Sequence, residues 1–541
     1  METTNQRPGS RAQRARMPRT TDLIRDVAIE NRVCISPIPM EATAPDGQTK
    51  IIDLPCGATR ASKCPACAEK AKLLRMAQCR EGWHLESEPV FEPDPTGKDQ
   101  RTLGEQRSDL VAAIESANAD GRHTEVEELR VQLFALDQEI AAKGIRGNFP
   151  EAEAKRRVRS TRRRSDVVDL PKRKIAKTTV GRAFTSPDGQ VFRPSLFVTV
   201  TLDSYGRVLA DGSPINPADY DYKRAAKDAI HFSKAIDRLV QNLRRVAGFQ
   251  VQYFGAVEPQ RRLAMHFHMA IRGTIPRAEI KQVIDATYHQ VWWPSTEHVE
   301  YPNDRLPVWA DALATFVDPE TGCVLPTWDE ALDDVGDDPM HVVRFGGQAD
   351  IQGLLAGSPD ANRRIGYITK YLMKSVDECH SAESQRQTHH IDRLVEALRY
   401  EPCSPTCANW LRYGIQPKNP KSSHRPGYCR GKAHRRESLG YGGRRVLVSD
   451  KWSGKNLRDH KEDRRRWVME TLGIDEPEQV EKVSWNRVES TSHIPPLGYR
   501  LMLAIAERKR WRAELDRATQ RASGLAPPNV SAVPPPSTKA A

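Results

Sequence analysis

Two short segments of this chain carry residue types that do chemistry. One reads Glu258-Pro-Gln-Arg-Arg-Leu-Ala-Met-His266-Phe-His268, the other Tyr367-Ile-Thr-Lys370-Tyr371-Leu-Met-Lys374. Residues two apart on a β-strand point the same way. His266 and His268 therefore share one face, and Met265, Phe267 and Met269 take the core side. Glu258 closes the preceding apolar run, and a hairpin turning near Arg262 sets it across from His266 on that same face. Two imidazoles and a carboxylate form a site for a divalent cation, Mg²⁺ or Mn²⁺, with positions left for water and a phosphate oxygen. The plain alternative is a surface hairpin with two incidental histidines.

Tyr367 and Tyr371 are four apart and stack on one face of a helix, with Lys370 and Lys374 forming a second such pair offset by one position. A tyrosine hydroxyl titrates near about 10 and is a poor nucleophile alone. A neighbouring cation or lysine stabilises the phenolate and the charge that develops on phosphorus. Ordinary aromatic packing is the competing reading, as is one catalytic tyrosine with the other stacked on a base. Together the two segments point to a tyrosine that attacks a phosphate of single-stranded DNA beside a metal.

The cysteines form two clusters. Cys56 and Cys64-Pro-Ala-Cys67, with Cys34 as fourth thiolate and Cys79 as its competitor, have the spacing of structural zinc. Cys403-Ser-Pro-Thr-Cys407, Cys429 and His434 make a second tetrahedral set. About two zinc ions per chain are expected. Cys323 and Cys379 have no spacing argument. The chain begins on a polar, basic stretch without the apolar core of a secretory signal, so thiolates and metals are expected rather than disulfides, in the cytoplasm.

Lys and Arg outnumber Asp and Glu by 83 to 71, a net charge of +12. Over this length that is a mild excess, and its placement says more. Residues 155–182 hold 12 basic residues against two acids, including Arg162, Arg163 and Arg164. This run is either a solvated linker or an arm that contacts phosphate backbone. Around the second cysteine cluster lie Arg435, Arg436, Arg444, Arg445, Tyr441 and Trp452, which offer charge contacts and base stacking. Lys374 joins the candidate DNA contacts. No run of 18 apolar residues occurs, so no membrane span is expected.

The elements that must position these groups read as follows. A basic tail (1–24) precedes a Cys-rich zinc module (25–95). A charged helical hairpin and basic linker (96–190) come next. An α+β catalytic domain (191–395) follows, in which Leu196–Leu202 is a central strand, residues 222–246 a helix, and residues 251–257 and 265–271 strands. A zinc-binding basic module (396–475) and a helix with a disordered tail (476–541) complete the chain. The catalytic region is expected to be an antiparallel β-sheet with helices on one face and the other face open to substrate.

Glu258…His266-Phe-His268 with Tyr367-Ile-Thr-Lys-Tyr371 resembles the HUH endonuclease superfamily. Within it, the runs Phe197–Leu202, Tyr253–Gln260, Glu401–Trp410 and Lys432–Gly443 are similar to the replication initiators of actinobacterial plasmids and integrative elements. The resemblance implies an HUH palm with two zinc modules, metal ligands at His266, His268 and Glu258, and nucleophiles at Tyr367 and Tyr371. It also implies rolling-circle replication: a nick at an origin, a 5′-phosphotyrosine and a free 3′-OH. Implied partners are the double-stranded origin, the single-stranded nick site and the host replication machinery. A transposase of the same chemistry and a non-enzymatic, zinc-stabilised DNA-binding regulator are the rivals. No Walker-type phosphate loop is present, so no fused helicase is indicated.

Overall fold

The structure, a computed structural model, describes residues 20–142, 170–370, 382–474 and 484–522, with short gaps at 45, 84, 86, 90–94, 181–182, 190, 356–357 and 489–493. Helices are α1 (Thr20–Glu30), α2 (Pro65–Trp83), α3 (Pro95–Ala119), α4 (His123–Ala142), α5 (Tyr222–Ala247), α6 (Arg277–Ala286), α7 (Pro359–Lys370), α8 (Gln385–Tyr400), α9 (Leu457–Leu472) and α10 (Leu497–Ala522). The main strands are β1 (Ile38–Thr43), β2 (Thr49–Leu54), β3 (Pro194–Leu202), β4 (Gln252–Pro259), β5 (Met265–Arg272), β6 (Tyr288–Val291), β7 (His341–Leu355), β8 (Val446–Val448) and β9 (Ser484–Arg487).

Two compact units result. Pro89–Arg162 forms one, and Met1–Glu88 with Arg163–Ala541 the other. The first contains the expected helical hairpin. Ile114 and Ala117 of α3 meet Val126, Leu129 and Leu133 of α4, and Arg107 grips Asp137 at 2.7 Å.

In the larger unit six strands form one sheet in the order β8-β4-β5-β3-β7-β6, every neighbour antiparallel. This is the expected α+β class. Helix α5 starts where the Asp221 side chain accepts from the Arg224 N–H and stops at Gly248 in the left-handed region (φ 71°). Its buried stripe, including Phe232, Ile236, Leu239 and Leu243, packs with α6 and α8 on one face of the sheet, against Val198, Val200, Phe267, Met269 and Ile271.

The opposite face is not left open along its whole length, as the sequence reading had it. Phe197, Phe254, Ala256 and Ala270 point there, and they are covered by Ile365 and Ile368 of α7, Cys79 and Trp83 of α2, and Trp452. The physical reason lies in the strands themselves. Both faces of β3 and β4 are apolar at this end, and both need cover. Gly82 lets α2 close down, since a Cβ there would sit 2.2 Å from the Trp452 ring. Trp452 is thus fully buried and cannot stack on a base; that expectation is corrected, and Tyr441, also fully buried, goes with it.

Arg272, only 3% exposed, ties this knot. Its guanidinium donates to the carbonyls of Thr179, Gly82, Trp452 and Lys451 and to the Thr179 hydroxyl, at 2.6–3.1 Å. Burial lowers its pKa to about 10, so it stays charged at neutral pH. Arg272→Met strands four carbonyls at once and is expected to cost about 3–5 kcal/mol in chemical denaturation, with Arg272→Lys recovering only part.

The cysteine-rich segments are interwoven with this unit. β1 pairs with β2 and with β9, and α1 with the following Val33 packs on α10 through Ala28, Leu501 and Ile505. The segment 300–340 contributes Trp328, which meets Trp293 and Trp410 beside Cys407.

Candidate active site and metal clusters

The β4–β5 hairpin turns through Gln260–Leu263, with Leu263 at φ 62°. That turn fixes the register, and Glu258 stands directly across from His266. Ligand atoms of Glu258, His266 and His268 all lie within 4.8 Å of one another. Glu258 and His268 are buried, and His266 is half-buried.

Strand β3 supplies a support that the sequence reading did not single out. Thr199 pairs across from His268 and Thr201 from His266. Their hydroxyls meet the Nδ1 atoms at 2.8 and 2.9 Å. A hydroxyl both donates and accepts, so each threonine can hold its ring with the proton on Nδ1, which aims the Nε2 lone pair at a metal. The alternation Thr199-Val-Thr201 beside a His-x-His strand was the available signal, but only the strand order shows that the two are neighbours.

A divalent cation fits this donor set. His268 Nε2 meets Glu258 Oε1 at 2.7 Å, yet Glu258 Oε2 is buried with no hydrogen-bond partner. An acceptor-only oxygen without a donor, on a carboxylate whose other oxygen meets an imidazole, is what a cation would satisfy.

Tyr367 is half-buried on α7. Its ring lies 5.2 Å from the His268 ring, edge-on at 87°, and 6.1 Å from Phe197. Ile365 and Ile368, both fully buried, clamp the helix on each side of it, and the Thr369 hydroxyl donates to the Ile365 carbonyl. Arg364 lies over Phe197 at 5.1 Å. So the structure brings Tyr367 to the histidines across about 100 residues of sequence. Tyr371 and Lys374 lie outside the described residues. Lys370 is the last residue of α7, and its side chain is outside them too.

Two cysteine-rich clusters converge in a way that could coordinate zinc. The Sγ atoms of Cys34, Cys56, Cys64 and Cys67 converge, as do those of Cys403, Cys407 and Cys429 with an imidazole nitrogen of His434, each set within 4.8 Å. His434 Nδ1 bonds the Leu398 carbonyl at 2.9 Å, which turns Nε2 toward Cys407 at 3.4 Å. Hydrogen bonds with Cys403 and Cys407 hold the Cys429 thiol well below its usual range. The competitor Cys79 is fully buried in the apolar core under α7, where burial pushes its thiol up. Cys323 is exposed, and Cys379 is outside the described residues.

Of the proposed DNA contacts, Arg435 and Arg444 are exposed. Arg436 pairs with Asp392 at 2.6 Å, and Arg445 reaches the Val257 carbonyl at 3.3 Å. Arg162, Arg163 and Arg164 lie outside the described residues.

Residues 20–507 match the RepSA family, described as "Replication initiator protein, pSAM2". The chain belongs to the RepSA family of replication initiators. Membership of RepSA supports a replication-initiator-like role and an interaction with DNA. No curated protein and no solved structure matches the chain. Among the described residues no helix is long and apolar enough to cross a membrane.

Proposed function

We propose that this chain is an HUH-type initiator that nicks and rejoins single-stranded DNA at the origin of a plasmid or integrative element. The observation that carries the reading is Tyr367 edge-on to His268 above the Glu258–His266–His268 triad. A regulator that only binds DNA gives no reason for a buried carboxylate oxygen left without a donor beside two oriented imidazoles.

A divalent cation held by His266, His268 and Glu258 would withdraw charge from the non-bridging oxygens of the scissile phosphate. The Tyr367 phenol loses its proton, and its oxygen attacks phosphorus in line. The bond to the 3′ oxygen breaks, that oxygen takes up a proton, and the strand is left with a 5′-phosphotyrosine and a free 3′-OH. The phosphodiester energy is conserved in the tyrosyl ester, so the free 3′-OH can reverse the step and reseal. Tyr371, four residues further along the sequence, is the candidate for a second cut. The Phe197 and Ile368 packing holds the phenol's helix in place and reduces the entropy of attack.

His266→Ala is expected to remove Mn²⁺ binding and lower nicking of a single-stranded oligonucleotide by at least about 100-fold, with the zinc content unchanged. Thr201→Val keeps the ligand and loses its orienting hydroxyl, so Mn²⁺ affinity is expected to fall about 10–100-fold. Calorimetric Mn²⁺ titration without DNA reads both. Wild-type nicking and metal affinity in His266→Ala would reject the triad.

A further inference from the structure

Next to the triad lies a cavity of about 340 Å³ that the nicking reaction above does not use. It opens at the end of β3, where Thr201, Asp203 and Ser204 form one wall, and Gly346, Gly347 and Gln348 of β7 form the other. Arg262, from the turn of the metal hairpin, closes it. Thr201 is shared, because its hydroxyl is the one that meets His266 at 2.9 Å.

The cavity is produced by a break in the sheet. Phe345 pairs with Leu202 and Ala349 with Val200, so Gly346, Gly347 and Gln348 stand opposite the single residue Thr201. Such bulges free backbone groups from the ladder and recur beside active sites. The two glycines do different jobs. A Cβ on Gly346 would come 3.2 Å from the Cα of Asp203, so this glycine lets the bulge lie close against β3. A Cβ on Gly347 would meet nothing within 4 Å, and its φ is not positive, so packing does not require a glycine there. The open space in front of it is the cavity.

The lining chemistry suits a planar, polar occupant. Asp203 is already paired with Arg224 at 3.0 Å and with the Ser204 N–H at 2.8 Å. The Arg262 guanidinium donates to the Leu202 and Asp203 carbonyls and to Gln260 Oε1. Three of its five N–H groups are so engaged, which holds the guanidinium plane in place, and such a plane stacks on heteroaromatic rings. Gln348 is exposed, and no hydrogen bond among the described residues engages its amide. That amide carries both a donor and an acceptor, as reading a base edge requires.

Resting on the nicking reading, we infer that this cavity is the subsite for the base of a nucleotide adjoining the scissile phosphate, with Arg262 as stacking platform and Gln348 as the reader. The two side chains set which base is accepted beside the cut, and the cavity splays that base away from its neighbours while the phosphate meets the triad.

The test uses the full chain, Mn²⁺ and a randomised single-stranded DNA library, with covalently captured strands sequenced. Wild type is expected to show a base preference at a position next to the cut, and an abasic site placed there should slow adduct formation about tenfold. Gln348→Ala should flatten the preference at that position alone. Gly347→Phe starts from a Cβ that meets nothing within 4 Å and puts a ring into the cavity, so it should slow the intact strand about tenfold and be indifferent to the abasic substitution. A wild-type chain that captures no strand at all would remove the nicking reading and the subsite with it. Wild-type capture matched by both variants, with the same rate and preference at every position, would remove the subsite alone.

Discussion

Tyr367→Phe combined with Tyr371→Phe reduces the covalent protein–DNA adduct on a nicked oligonucleotide to background, a loss of at least about 10⁴-fold, because no other oxygen nucleophile replaces the phenol. The single Tyr367→Phe change is the sharper measurement. It removes one oxygen from a ring whose packing against Phe197 and His268 is otherwise kept. Fold, zinc content and Mn²⁺ affinity should therefore equal those of the wild type, and only the bond-forming step is lost. The single variant also divides the work between the tyrosines. If Tyr367 makes the first cut, its loss alone removes adducts on an intact strand. If Tyr371 does, Tyr367→Phe keeps the first adduct and loses the second transfer. Full adduct formation by the double variant would show that neither phenol is the nucleophile.

Metal analysis of the purified chain is expected to give two zinc ions, and Cys407→Ser should leave one. The Cys407 cluster does more than close a loop. Its neighbours Trp410 and Trp328 are buried around it, and its histidine is tied to the Leu398 carbonyl of α8, the helix that packs on α5. Zinc binding in small modules contributes roughly 10 kcal/mol or more to folding, so losing the ion here is expected to release this cluster and drop the melting temperature by more than about 10 °C. Cys67→Ser should also leave one zinc, but with its effect confined to the α2 end. Zinc near zero in the wild-type chain would reject both assignments.

The Glu258–His266–His268 cluster was legible because a strand's period of two and one hairpin turn are local properties. Glu258, His266 and His268 need nothing beyond each other to be placed. The zinc sets were legible for a related reason: short spacings restrict which thiols can meet. What stayed hidden came from strand order. Thr199 and Thr201 lie about 65 residues before the histidines and become their neighbours only because β3 inserts between β5 and β7. Trp452 was misread for the complementary reason. Basic neighbours suggested a surface, but the ring faces inward, and the composition of a segment does not report which way one side chain points. The covered second face follows the same pattern. The apolar residues of β3 and β4 were visible as runs, but a run does not say that both of its sides are buried.

One edge strand of the six-stranded sheet, Val446–Val448, pairs with a strand made far earlier, and Trp452 then closes the core beneath the helix that carries Tyr367. A growing polypeptide leaving the ribosome therefore contains Glu258, His266 and His268 before it contains the Trp452 wall behind the Tyr367 helix. Under the nicking reading, the order of synthesis acts as a safety catch: a half-made initiator, still beside the DNA that encodes it, lacks the finished wall it needs to cut.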